Sequence, residues 1–89
     1  MTRSDFKKSL ARDGYTMRES AQPPNKLFPD HVHDTDLRLY ILTGEIVAIY
    51  NGQTLTFKVG DSFSMAAGVR HLEEIGPEGA TYLVGEKVV

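Results

Sequence analysis

The sequence contains no cysteine. That absence excludes disulfides, thiolate chemistry, zinc fingers and iron–sulfur clusters, and it suits the cytoplasm, where the protein is expected to work. No apolar run approaches the ~18 residues of a membrane-spanning helix. Met1 to Asp5 leads into charged sequence and does not read as a secretory signal, so no membrane partner is expected. There is no basic excess either. Ten Lys and Arg stand against twelve Asp and Glu, a net charge of −2, and the only adjacent basic pair is Lys7-Lys8. A nucleic-acid partner is therefore not expected. Internal repeats and low-complexity tracts are also missing. What remains is 89 residues and 9.9 kDa, enough for one small domain and too little for two cores. Hydrophobic residues make up 40% and charged residues 25%, a globular mix that argues against disorder. The single core is modest, so self-association would help it.

The only helical pattern covers residues 4 to 13. Ser4 is a candidate N-cap, Asp5 sits where the helix dipole favours an anion, Phe6 and Leu10 share a face, and Gly14 follows as a C-terminal cap. The expectation is a helix over residues 1–14 that packs against the domain formed by residues 15–89. The remainder reads as short strands between turns. Tyr15 to Ser20 alternates, and Pro23-Pro24-Asn25 breaks it. Lys26 to His33 is extended, with Pro29 limiting its pairing. Leu37 to Thr43 and Glu45 to Tyr50 are β-prone on either side of Gly44. Asn51-Gly52 is a two-residue hairpin turn into Gln53 to Val59, where Leu55, Phe57 and Val59 share a face. Ser62 to Ala66, Arg70 to Ile75, Ala80 to Val84 and the segment from Gly85 follow, with Gly76-Pro77-Glu78-Gly79 as a rigid loop. About eight short strands at regular spacing predict an all-β barrel or sandwich. Leu37, Leu39, Ile41, Phe57, Phe63 and Met65 are its expected filling. The apolar segments near Thr16 and Val84 are expected edges that invite pairing with another copy.

The three histidines are His31, His33 and His71. Side chains alternate along an extended chain, so His31 and His33 face the same way and both rings reach one point. His71 begins a later strand, which in a barrel can lie beside the first. Three neutral imidazoles converging on one point would hold a divalent Zn, Fe, Cu, Ni or Mn ion. A His-x-His pair also occurs as surface or hydrogen-bonding sequence, and spacing alone does not separate the two.

Two stretches resemble the paired motifs of the cupin superfamily. In the first, His31-Val32-His33 is followed by Asp34-Thr35-Asp36-Leu37-Arg38-Leu39-Tyr40-Ile41-Leu42-Thr43-Gly44. The second is Gly60-Asp61-Ser62-Phe63-Ser64-Met65-Ala66-Ala67-Gly68-Val69-Arg70-His71. The family's patterns are a His-x-His pair with a later Glu and Gly, and Gly, Pro, Gly, His at fixed spacing. The short stretch from Glu45 to Val59 and the ending from Gly76 to Gly85 also look like small cupins with an N-terminal helix. The resemblance implies a double-stranded β-helix, the jelly-roll barrel, with a metal held inside by His31, His33 and His71. It also implies a homodimer and a small-molecule ligand.

Two positions depart from the motifs. Leu37 stands where the glutamate belongs (Arg38 if the gap is read one longer), and Ala66 stands at the proline. The remaining set is similar to the reduced three-histidine set of thiol dioxygenases. Three protein ligands leave coordination positions for water or substrate. Asp34 and Asp36 lie near the missing carboxylate and also read as turn residues. Glu73 shares the inward face with His71 and is the candidate catalytic carboxylate. It would serve as general base, as fourth ligand or as partner of an imidazole, unless it sits in water at the barrel mouth. Glu74 and Arg70 should point away, and Arg38 and Tyr40 share the opposite face of their strand. Met65 reads as filling more readily than as a ligand. Three functions follow: a metal-dependent dioxygenase, isomerase or lyase acting on a small polar substrate; a non-catalytic module that binds or senses a metal or small ligand; or a structural or interaction role with a vestigial site, the last two favoured by Leu37.

Overall fold

The computed structural model describes residues 1–89. One helix, α1 (Arg3–Asp13), precedes six strands: β1 (Thr16–Gln22), β2 (Leu27–His31), β3 (Thr35–Tyr50), β4 (Gln53–Lys58), β5 (Ser62–Met65) and β6 (His71–Val88). All pairings are antiparallel. The barrel is a jelly roll, and its two longest strands explain how. β3 and β6 pair along nearly their whole length, and both bend at the same level. Their first and second halves therefore belong to different layers. One layer is ordered β1, the end of β6, the start of β3, β5. The other is ordered β2, the start of β6, the end of β3, β4.

The bends are made by Gly44 and Gly79, at φ of 74° and 76°. Their backbones lie so close that a Cβ on Gly44 would fall 1.9 Å from the Gly79 carbonyl oxygen. Only glycine combines this conformation with this approach. The pairing register shifts between Ile41 and Thr43 and again between Gly44 and Ile46. Core residues change parity accordingly, from Leu37, Leu39 and Ile41 before the bend to Ile46 after it, with Ala48 also fully buried. An inserted bulge residue has this effect, because side chains alternate strictly along a strand. β6 does the same, with Ile75 inward before its bend and Ala80, Tyr82 and Val84 after it.

The sequence predicts eight short strands where the structure has six, because glycine at positive φ reads locally as the end of a strand. Gly76 to Gly79 is accordingly a bend within β6 and not a loop. Val84 is not at an edge either. Arg18 pairs with it on one side and Leu39 on the other. Val59 lies beyond the end of β4 and is exposed instead of sharing the face of Leu55 and Phe57. The Asn51-Gly52 hairpin is as expected, with both residues at positive φ and Tyr50 opposite Gln53.

Between the layers lies the main core, which includes Leu37, Leu39, Ile41, Phe63 and Met65, with Phe57 packed against it. On the outside of one layer, Phe6 and Leu10 of α1 pack on Tyr40 and Leu83. Leu10 fits there because Gly85 has no side chain: a Cβ would meet its methyl carbon at 2.5 Å. Burying these two side chains contributes ~1.5–3 kcal/mol each. The helix is fastened at both ends. Thr2, not Ser4, is its N-cap: the Thr2 hydroxyl accepts from the Asp5 N–H, and the Asp5 carboxylate accepts from the Thr2 N–H. Ser4 would face Lys7 three residues on, which has no acceptor to complete this exchange. At the other end Gly14 caps the helix, and Arg38 of β3 donates to Asp13 at 2.7 Å. Arg38 thus has its acidic partner within the chain.

Candidate metal centre

The site is built on one rung of the β2–β6 ladder, where His31 pairs directly with His71. His33 follows two residues after His31, just beyond the end of β2. Its backbone is held by the turn before β6, whose Gly68 N–H donates to the His33 carbonyl at 2.9 Å. The same turn is anchored by Ala67, whose N–H donates to Asp36 Oδ1 at 2.9 Å. The three rings converge, with centroids 4.3 to 5.1 Å apart. One ligand nitrogen from each lies within 4.8 Å of the other two.

Tautomers are set by the backbone. His31 Nδ1–H donates to the Pro29 carbonyl at 2.6 Å, and His71 Nδ1–H donates to the Val69 carbonyl at 2.9 Å. Each neutral ring then turns an Nε2 lone pair toward the shared point, as histidine metal ligands do when the other nitrogen donates to a carbonyl. His31 Nε2 lies 3.1 Å from His33 Nε2. Two nitrogens bonded at ~2.0–2.1 Å to one ion are themselves ~3.3–3.4 Å apart in a tetrahedral site and ~2.8–3.0 Å apart when cis in an octahedral one, values that bracket this separation. His71 is 1% exposed, and its Nε2 is buried without a hydrogen bond. Glu73 Oε1 is 3.2 Å away, but with the ring proton on Nδ1 the nitrogen and a carboxylate oxygen are both acceptors, and the nitrogen stays unpartnered. An orphaned buried acceptor costs ~1–3 kcal/mol, and a cation at the meeting point would satisfy it. The residues therefore fit a divalent transition metal.

Charge in the site follows from burial. Desolvation, reinforced by the neighbouring rings of His31 and His71, holds the His33 pKa below the usual imidazole range. The neutral, metal-binding form is thereby favoured. Burial pushes the Glu73 carboxyl above its ordinary range, and His71 and His31 oppose that shift.

Glu73 faces the cluster, as its spacing from His71 predicts, and its side chain is only 12% exposed. Glu74 points outward and is exposed. Arg70 pairs with Asp30 at 3.0 Å on the surface. Asp36 is occupied by the turn and Asp34 is exposed. Leu37 is buried in the cavity wall. Met65 is core.

A cavity of about 250 Å³ opens beside the histidines. Phe28, Leu37, Leu39, Tyr82 and Val84 supply its apolar surface, while Arg18, Ser20, Gln22, Glu73 and Glu86 supply polar groups. Arg18 pairs with Glu86 at 2.9 Å. The sequence pattern missed the β1 residues, because polar side chains alternating on an edge strand read as facing water. The signal was their shared parity: Arg18, Ser20 and Gln22 are spaced by two. A larger groove of about 400 Å³ lies at the glycine bend, beside Glu45, Lys58 and Glu78, and includes none of the histidines.

Residues 19–84 match the family model of the cupin domain. No curated protein sequence matches the chain significantly. Among solved structures, a protein of unknown function from Rhizobium leguminosarum bv. viciae 3841 superposes with a TM-score of 0.79 at 19% identity, over 84% of this chain and 71% of that one. An RmlC-like cupin from Shewanella frigidimarina gives 0.73 at 19% identity, over 84% and 67%. The DMSP lyase DddQ from Ruegeria pomeroyi gives 0.72 at 20% identity, over 82% of this chain and 38% of that one. Such low identities speak for the fold alone. With the family match spanning most of the barrel, and the jelly roll and its inward histidines in place, the chain belongs to the cupin family as a small domain of the cupin-2 type.

Proposed function

We propose that this cupin holds a divalent transition metal through His31, His33 and His71 and acts on a small polar molecule bound beside it. The observation that carries the reading is the buried, unpartnered Nε2 of His71 at the meeting point of three imidazoles. When bound, such an ion supplies Lewis-acid polarisation or, if it is redox-active, dioxygen chemistry. The chain's own residues do the rest. Pro29 and Val69 carbonyls keep the rings oriented. The apolar wall excludes water from one side of the substrate, and Arg18, Ser20 and Gln22 offer it polar contacts on the other. Glu73 sets a carboxylate beside the imidazoles and in the wall of the cavity. A cavity of about 250 Å³ limits that molecule to a small metabolite. Dioxygenase, isomerase and lyase reactions all suit an open metal position, and the lyase among the structures of like fold illustrates one such use.

Metal analysis of protein purified without chelator or an affinity metal tests the reading. Stoichiometric metal, and a zinc- or iron-induced rise in melting temperature that His31→Ala abolishes, are expected. Absence of both refutes it. The second reading, a module that binds or senses without turnover, is favoured by Leu37 at the position of the family's glutamate. Iron-loaded protein that binds ligands yet consumes no oxygen or substrate across a thiol and diketone panel would support it. Either form is expected to be a homodimer joined along β1, whose outer edge has no partner strand. A 9.9 kDa particle in light scattering would refute that.

A further inference from the structure

We infer that Glu73 is the fourth protein ligand, supplying from β6 the carboxylate that Leu37 withholds on β3. The inference rests on the three-histidine reading above and adds a residue to it. β2 and its extension present His31 and His33 on one face. Across the ladder β6 presents His71 opposite His31, and Glu73 opposite Phe28. One residue lies between the members of each pair, so both pairs face the cavity. Glu73 Oε1 lies 3.2 Å from His71 Nε2 without forming a hydrogen bond. That separation, like the 3.1 Å between His31 Nε2 and His33 Nε2, is the spacing of donor atoms that share one ion.

Elimination leads to the same residue. Asp36 Oδ1 is taken by the Ala67 N–H. Glu86 is engaged by Arg18 and Thr35. Leu37 is apolar and buried against the core. Glu73 alone combines an inward position with a carboxylate that no lysine or arginine neutralises, its one ion-pair contact being the His71 ring. A carboxylate 12% exposed is stable there with a proton or with a countercharge, and a divalent ion among the imidazoles would supply the second.

The test compares wild type, Glu73→Gln, Glu73→Asp and His71→Ala, each folded by circular dichroism. Zn(II) affinity is read by chelator competition and the coordination by the visible spectrum of the Co(II) form. Loss of an outer-sphere partner costs ~10–100-fold in affinity. The expected result for Glu73→Gln is a loss of more than ~100-fold with an altered Co(II) band. Glu73→Asp, which keeps the charge and withdraws the oxygen by one methylene, is expected to alter the band as well. It carries the test if the glutamine variant does not fold. A loss of ~100-fold or less with an unchanged Co(II) spectrum overturns the inference, as does a Glu73→Asp variant indistinguishable from wild type. In those cases failure of His71→Ala to bind leaves the three-histidine site standing. A wild-type protein that binds neither metal removes both.

Discussion

Replacing Gly44 by alanine is the sharpest test of how this barrel is built. Two costs add. Alanine at φ of 74° costs ~1–2 kcal/mol for the left-handed conformation. Its Cβ would also lie 1.9 Å from the Gly79 carbonyl oxygen, well inside any van der Waals contact. Relief requires β3 and β6 to part by about an ångström at the point where both bend, and overpacking of this kind costs ~1–3 kcal/mol. The total, ~2–5 kcal/mol, compares with a whole-domain stability of roughly 5–13 kcal/mol at this length. Gly52→Ala is the internal control. Gly52 has nearly the same φ, 73°, but a Cβ there meets nothing within 4 Å. It should lose only the conformational part, ~1–2 kcal/mol. Urea unfolding with a shared m-value measures both. Gly44→Ala should be worse than Gly52→Ala by ~1–3 kcal/mol, with its melting temperature lower by a further ~4–8 °C per kcal/mol. Equal losses would mean that the two strands yield freely at the bend, and the close approach would no longer explain the fold.

Two further outcomes are expected. Leu10→Ala opens a cavity over Gly85 on the outside of the barrel and should cost ~2–5 kcal/mol while leaving zinc affinity unchanged; a parallel loss of affinity would show that the helix and the site are one unit. Because His33 is held neutral when folded, the unfolded chain takes up the proton first as pH falls through ~6.5. Metal-free stability should therefore fall with pH below that point, and His33→Asn should flatten the slope. Metal affinity should decline below about pH 6 for the same reason. Glu73 has the opposite sign: its raised pKa means stability is lost as pH rises past the ordinary carboxylate range. Chemical denaturation of the metal-free protein between pH 5 and 8 checks this, and a slope unchanged in His33→Asn would contradict it.

Features set by a few neighbouring residues were legible in the sequence. The Gly14 cap, the Asn51-Gly52 hairpin and the inward alternation of Leu37, Leu39 and Ile41 each have a local physical cause, and all are present. So was the shared face of His31 and His33. The meeting of His71 with His31 was not legible from spacing, since ladder partners 40 positions apart leave no local trace. It was expected on the family resemblance. Continuity of β3 and β6 through Gly44 and Gly79 was hidden because each bend exists only through the other. The inward set Arg18, Ser20 and Gln22 was hidden because a polar cavity reverses the usual alternation rule. Thr2 against Ser4 turned on Asp5, whose reciprocal bond to Thr2 selects between two otherwise adequate caps.

β6 pairs with β1, β2 and β3, and it follows all of them along the chain. During synthesis on the ribosome, β1 and β2 therefore emerge with nothing to bind to, and His31 and His33 with half a binding site. Long-range antiparallel pairing of this kind is slow to form. Until β6 is released, the nascent chain exposes strand edges and an apolar face that β6 alone covers, so aggregation is most favoured in that interval.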